Sequence, residues 1–281
     1  MVDNTFGSRL HDAMRTRGPL CVGIDPHDSL LSAWGVERGV GGLEKFAMTV
    51  VEALADTVSV FKPQSAFFEA YGSAGIAVLE RVIAESQAAG ALVLLDVKRG
   101  DIGSTMAAYA KAYLTEGSSL AVDAITVSPY LGFGSLQPAI DAAAASDRGL
   151  FVLCRTSNPE SDQVQGAISA GGSTIAKGMV DKVGALNVDA TVLGSFGLVI
   201  GANLRSLELD LSALNGPILA PGMGAQGGGP QELATLFGAQ LPNVLPSSSR
   251  QILASGPSVQ GLRAAVDRQN DQLRLIGQQS G

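Results

Sequence analysis

Eight short apolar runs punctuate this chain, at residues 20–24, 58–61, 91–95, 124–127, 149–154, 197–200, 217–220 and 243–245. Most lack the alternation of a strand wetted on one face. A near-continuous run of Val, Ile and Leu marks a strand covered on both faces, as in parallel sheets. Stretches with helical spacing separate them, at 43–55, 75–89, 104–114, 135–145 and 174–186, and a last one at 259–276 closes the chain. Residues 6–17 form a further helix, with Phe6, Leu10 and Met14 four apart, stopped by Gly18-Pro19. Strand runs alternating with helical runs predict an α/β chain. A count of eight in 281 residues predicts one (β/α)8 TIM barrel spanning 1–281, with the short N-terminal helix closing its bottom. An open, doubly wound sheet is the alternative. No G-x-G-x-x-G follows the first run, which weakens its dinucleotide-binding form.

The predicted strands end near 25, 62, 96, 128, 155, 201, 221 and 247, and polarity changes abruptly there. The sharpest change is Leu94-Leu95-Asp96-Val97-Lys98-Arg99-Gly100-Asp101-Ile102. Asp96 and Lys98 are two apart, so on a regular strand they share a face. A structural ion pair, or a helix cap at Asp101 or Ser104, is the bland reading of each residue alone. Three charged groups at one buried strand end argue for chemistry, because sinking an ion pair costs desolvation. Asp25 and Lys62 end the first two strands. In a barrel, Asp25, Lys62, Asp96 and Lys98 then form a rim alternating in sign, so each charge keeps its neighbours ionised. Such fixed charge is electrostatic preorganisation.

After the seventh run comes Pro221-Gly222-Met223-Gly224-Ala225-Gln226-Gly227-Gly228-Gly229. Glycines 222, 224, 227 and 228 free the backbone to aim N–H groups at an anion, and Gln226 adds a neutral donor. Arg250, past the eighth run, offers a bidentate fork to the same anion. Barrels commonly bind phosphate in these two loops. The net charge of −7 argues against a general nucleic-acid surface and makes each well-placed cation notable. Cys21 and Cys154 lie in strand runs and read as reduced core thiols of a cytoplasmic protein. They form no ligand cluster with His11 or His27, so no metal site is expected. Residues 1–10 lack the apolar stretch of a signal peptide, and no run is long enough to span a membrane. The polar, Gly-punctuated stretch 159–173 is long for a loop between strand and helix. It reads as a lid or as a surface insertion.

These motifs resemble the orotidine 5′-monophosphate decarboxylase family. The resemblance rests on Gly23-Ile24-Asp25-Pro26, Phe61-Lys62-Pro63, the Asp96 to Ile102 element, Pro221-Gly222 with Gln226-Gly227-Gly228, and Ser249-Arg250, in order. Arg155-Thr156-Ser157-Asn158-Pro159 looks like the family's longer bacterial branch. The resemblance implies cofactor-free decarboxylation of orotidine 5′-phosphate to UMP, the last step of pyrimidine nucleotide synthesis. It implies Lys98 as proton donor to C6, Asp96 against the departing carboxylate, Lys62 holding the charges and touching the ribose, and Asp25 on a ribose hydroxyl. Gln226, Gly227 and Arg250 would bind phosphate, and Thr156 or Ser157 would face the pyrimidine. Asp101, Ile102 and Thr105 would reach the neighbouring subunit's site, making a homodimer the working unit. Position 229 is Gly, where many relatives are expected to carry Asp.

Two other readings remain. Related barrels with a similar Asp-x-Lys-x-x-Asp element use Mg²⁺ on sugar phosphates, as aldolases or decarboxylases. They need a further carboxylate near the second strand's end, where this chain has Lys62, with Glu69 several residues beyond. An inactive phosphate-binding barrel is the third reading, and the complete charge array argues against it.

Overall fold

The computed structural model describes residues 4–224 and 228–279. Eight parallel strands form one closed barrel in sequence order: β1 (Cys21–Ile24), β2 (Val60–Pro63), β3 (Leu92–Arg99), β4 (Ala124–Val127), β5 (Gly149–Arg155), β6 (Phe196–Ile200), β7 (Ile218–Pro221) and β8 (Val244–Ser248). Closure is made where β1 pairs with β8, Cys21 opposite Ser247 and Val22 opposite Ser248. This bears out the barrel and removes the open-sheet alternative. The helices are α1 (Phe6–Arg17), α2 (Asp28–Ala33), α3 (Val40–Leu54), α4 (Ser65–Glu69), α5 (Gly72–Ala88), α6 (Gly103–Leu114), α7 (Gln137–Ala145), α8 (Ile175–Leu186), α9 (Pro230–Phe237), α10 (Arg250–Leu253) and α11 (Val259–Gln279).

Period-two alternation sorts each strand into two cores. Val93, Leu95 and Val97 of β3 face outward and join the large layer between strands and helices. Leu92 and Leu94 face inward with Cys21, Val60, Ala124, Phe151, Val199, Leu219 and Leu245. Helix α1 plugs the bottom of this interior. Its Phe6, Leu10 and Met14 join the inner cluster, and the Phe6 ring meets Phe151 edge-on at 6.1 Å between centroids. Gly149 has no side chain because the Phe6 ring occupies the space a Cβ would need. Thr5 caps the helix start by accepting from the Ser8 N–H. The inward positions at the opposite end turn polar: Asp25 follows Cys21 and Gly23, Lys62 follows Val60, Asp96 follows Leu94, and Ser247 follows Leu245. A greasy barrel floor thus continues along the same strand faces into a charged ceiling.

The structure corrects several expectations. Strand β3 runs to Arg99 and β8 to Ser248, because the polar strand ends still pair with their neighbours. The alternation lapses between β6 and β7, where residues 201–217 contain no helix. Leu207, Leu209 and Leu211 are spaced by two with acids between them, which is an extended pattern. The short helices α2, α4 and α10 give too little periodicity to be read. The stretch 159–173 is structured, with a 3-10 turn at Pro159–Gln163 and a bridge between Ile168 and Thr174. Both cysteines are buried free thiols, as read from sequence. No helix of the described residues is long and apolar enough to cross a membrane.

Candidate functional site

A cavity of about 620 Å³ opens at the carboxyl ends of the strands. Asp25, Lys62, Asp96, Lys98, Thr156, Ser157 and Arg250 all line it, so most of the residues singled out from sequence meet in one place. Gln226 and Gly227 lie outside the described residues. Asp101, Ile102 and Thr105 do not line the cavity of their own chain.

Asp96 is the hub of the array. Its Oδ1 accepts from Lys98 Nζ at 2.6 Å and from the Thr126 hydroxyl at 2.8 Å, and its Oδ2 accepts from Lys62 Nζ at 3.4 Å. Lys62 Nζ also lies 4.0 Å from Asp25 Oδ1 and donates to Gln64 Oε1 at 3.4 Å. Burial opposes the Asp96 charge, but Lys62, Lys98 and the hydrogen bonds from Lys98 and Thr126 outweigh it and hold the carboxyl below its usual range. Burial likewise opposes the Lys62 ammonium, and Asp25 and Asp96 outweigh it, raising its affinity for the proton. The two lysines differ in access. The Lys62 side chain is 6% exposed, whereas that of Lys98 is 46% exposed, so Lys98 has a face open to a ligand.

Lys98 does not reach this position by plain alternation. Pairing between β3 and β4 slips between Leu95 and Arg99, and Lys98 sits at φ +45°. A non-glycine residue there carries strain of about 1–3 kcal/mol and persists only where its surroundings impose it. Part of that imposition comes from Thr126 on β4. Its hydroxyl oxygen accepts the N–H of Val97 at 3.1 Å and of Lys98 at 2.9 Å while donating to Asp96. Sequence reading missed Thr126. A lone hydroxyl in Ala124-Ile125-Thr126-Val127, at an inward position level with Asp96, was the available signal. His27, Gln64, Phe67, Asn158, Ser247 and Ser249 also line the cavity, and the sequence assigned them no role in the site.

The opposite rim is open. Gly222 (φ +100°) and Gly224 (φ +82°) take up backbone that a side chain would strain. Arg250 starts α10, is exposed, and makes no side-chain hydrogen bond or ion pair among the described residues. The buried Oγ atoms of Ser248 and Ser249 have no hydrogen-bond partner among the described residues. Beside them, across the seam where β1 pairs with β8, Asp25 Oδ1 is likewise buried without a hydrogen bond among the described residues.

Two alternative roles are settled by contacts. Asp101 does not cap α6: its Oδ1 accepts from the adjacent Ile102 N–H, and Ile102 occupies the cap position. Glu69, the carboxylate a Mg²⁺ site would have drawn on, points outside the barrel. There it accepts from Ser65 and Arg99, both at 2.6 Å. Among the described residues no group of three His, Cys, Asp or Glu side chains could hold a metal ion.

Fold and cavity together define a (β/α)8 barrel enzyme with its charged groups at the carboxyl ends of the strands. The chain belongs to the orotidine 5′-phosphate decarboxylase / HUMPS family, whose profile matches residues 18–265. It is 60% identical over 264 residues to the orotidine 5′-phosphate decarboxylase of Salinispora arenicola, covering 94% of this chain and 95% of that one. It is 61% identical over 273 residues to the enzyme of the same name from a Nocardioides species, covering 96% and 98%. A crystal structure from Streptomyces avermitilis, described provisionally as an orotidine 5′-phosphate decarboxylase, superposes with a TM-score of 0.95 at 56% identity, over 98% of this chain and 97% of that one. The resemblance read from the motifs is therefore borne out.

Proposed function

We propose that this chain decarboxylates orotidine 5′-phosphate to UMP and CO2 in pyrimidine nucleotide synthesis, without a cofactor. The observation that carries the reading is a half-exposed Lys98 ammonium held 2.6 Å from a buried Asp96 in the barrel's carboxyl-end cavity. Relatives at about 60% identity bearing that enzyme name support it.

The chemistry follows from these residues. Breaking the bond between C6 and the carboxylate carbon releases CO2 and leaves the electron pair on C6, in the plane of the ring, where the π system cannot spread it. A fixed ammonium beside that atom stabilises the developing charge, then gives it a proton; the Lys98 amine regains one from solvent. Asp96, locked by Lys62, Lys98 and Thr126, faces the substrate carboxylate as a like charge and holds Lys98 in place. Lys62 and Asp25 meet the ribose. Thr156 or Ser157 faces the pyrimidine. Arg250 grips the phosphate, with Gln226 and Gly227. Binding energy from the remote phosphate can then be spent on organising the reacting end.

A homodimer with shared sites fits the same reading. Asp101 and Thr105 lie outside the cavity of their own chain, beside an Ile102 that is 62% exposed. Tyr130 and Leu131, on the loop after β4, are exposed large apolar side chains as well. Apolar surface of this kind near a rim suits burial against a second copy. A cytoplasmic location accords with two buried free thiols.

The test is the loss of ultraviolet absorbance when purified protein meets orotidine 5′-phosphate, with and without chelator. Turnover insensitive to chelator is expected, and absence of turnover overturns the reading. Dimer sharing is tested by exchanging Lys98→Ala and Asp101→Ala dimers, each nearly inactive alone. Half the dimers are then mixed and hold one intact site, so about a quarter of wild-type activity should return. No recovery, with exchange verified, refutes the shared site.

A further inference from the structure

We infer that Arg99 is a positioning residue for Lys98: with Glu69 and Ser65 it braces the ends of β2 and β3 from outside the barrel and so fixes the spacing of the two lysines. The chemistry it serves is that of the decarboxylase reading above.

The need for a brace comes from the sheet itself. The regular β2–β3 ladder consists of Val60 opposite Leu92 and Phe61 opposite Val93, followed only by an isolated bridge between Gln64 and Asp96. On the other edge, the β3–β4 register is lost between Leu95 and Arg99. The segment bearing Asp96 and Lys98 is thus thinly paired on both sides, at a strained backbone. Thr126 holds it from within. Arg99 holds it from without.

Arg99 directs its guanidinium away from the cavity into a nest of side chains from two helices. Nη2 lies 2.6 Å from Glu69 Oε1 on α4 and 3.3 Å from the Tyr113 hydroxyl on α6. The guanidinium carbon lies 5.4 Å from the ring centre of Tyr109 and 5.9 Å from that of Tyr113. Glu69 Oε1 also accepts from Ser65 Oγ at 2.6 Å. Ser65 directly follows Gln64, the residue that accepts from Lys62. A short path therefore runs from Lys62 along the chain to Ser65, across Glu69 to Arg99, and back to the adjacent Lys98. The backbone of Arg99 completes the clamp: its carbonyl accepts the Ser128 N–H at 2.7 Å, and Gly100 leaves room for the Ser128 carbonyl where a Cβ would collide. Inner charges and outer brace thus sit on opposite faces of the same two strand ends.

A partly exposed ion pair placed only for stability would contribute little, and its loss would leave catalysis per folded site intact. A brace predicts a different outcome, because misplacing a proton donor slows the chemical step without weakening the remote phosphate grip. The experiment compares wild type, Arg99→Met, Arg99→Lys and Glu69→Gln for kcat and KM with orotidine 5′-phosphate, affinity for UMP, and melting temperature. For Arg99→Met, which keeps an unbranched apolar chain but removes the guanidinium, kcat should fall at least about tenfold while KM and UMP affinity stay within about threefold. Arg99→Lys should recover part of the loss. Glu69→Gln should fall in the same direction by less, and the double variant Arg99→Met/Glu69→Gln should be no slower than Arg99→Met alone. A kcat for Arg99→Met within about twofold of wild type, or additive losses in the double variant, overturns the brace. Should Arg99→Met fail to fold, Glu69→Gln decides by the same criteria. A crystal structure of the variant gives a readout independent of activity: the Lys98–Asp96 contact should lengthen or split into conformers, and an unchanged contact overturns the proposal. If wild type itself fails to turn over, the decarboxylase reading falls, and this structural comparison still decides the brace.

Discussion

The two rims of the cavity are built on different principles. On the side of β1 to β3, every charge already has a partner: Lys62 lies between Asp25 and Asp96, and Asp96 carries Lys98 and Thr126. On the side of β7 and β8, Arg250 is exposed and unpaired among the described residues, and the hydroxyls of Ser248 and Ser249 are buried without partners. The charges of the first rim are paired before any ligand arrives, although Asp25 Oδ1 accepts no hydrogen bond among the described residues; in the proposed function the substrate completes the second rim. In the proposed function the reason lies in what each must do. Charges that act on a transition state gain by being fixed in advance, since reorganisation would otherwise be added to the barrier. Groups that grip a doubly charged phosphate gain by being open to solvent until it arrives, when its charge and oxygens satisfy them.

This contrast can be broken or sharpened by measurement. The largest effect should come from Lys98→Ala. It should abolish nearly all turnover while UMP binding survives, because the ammonium acts on the carbanion rather than on the product. Turnover within about tenfold of wild type, roughly 1.4 kcal/mol in barrier, would show that the paired rim is not the chemical one. Arg250→Ala comes next. It should reduce kcat/KM by an amount worth about 2–4 kcal/mol with the nucleotide and hardly at all with the nucleoside lacking phosphate. Equal losses with both substrates would remove Arg250 from the phosphate.

A smaller effect is expected from Thr126→Val, which strips one acceptor from two backbone N–H groups and one donor from Asp96. It should lower kcat about tenfold, with stability down by about 1–3 kcal/mol, and leave UMP affinity nearly unchanged. Loss of UMP affinity instead would mean that the hydroxyl serves the binding rim.

The last effect touches stability rather than turnover: its pH dependence should report the paired rim and the core beneath it. Burial pushes the Cys21 thiol, under the array, up to about 12 from an ordinary 9.0, and the Cys154 thiol, in the outer layer, likewise to about 12. A raised folded-state value means that the unfolded chain loses its proton first. Stability should therefore be whole below pH 9 and decline toward pH 12, by at most about 1.4 kcal/mol per pH unit for each thiol. Lys62, also raised, acts in the same direction above its ordinary range. Asp96, lowered, acts oppositely: its contribution is present above the ordinary carboxylate value near 3.8 and fades in stronger acid. Urea midpoints from pH 8 to 11 for wild type and Cys21→Ala/Cys154→Ala test this. A slope the double variant does not reduce would exclude the thiols as its source.

The sequence by itself determined the eight strands, because a strand buried on both faces leaves a continuous apolar run. It determined the polar strand ends, because Asp25, Lys62 and Asp96 interrupt those runs at inward positions. It also determined the glycine loop, since only glycine takes up Gly222 and Gly224 backbone without strain. Each is a property of a few adjacent residues. What the tertiary structure decided depends on residues far apart in the chain. Thr126 becomes part of the array only when β4 lies beside β3. Glu69 is shown to be a partner of Arg99 rather than a ligand only when α4 packs against β3. Lys98 takes up left-handed backbone against the preference of its own residue type, because neighbouring strands impose a register slip that no local pattern encodes.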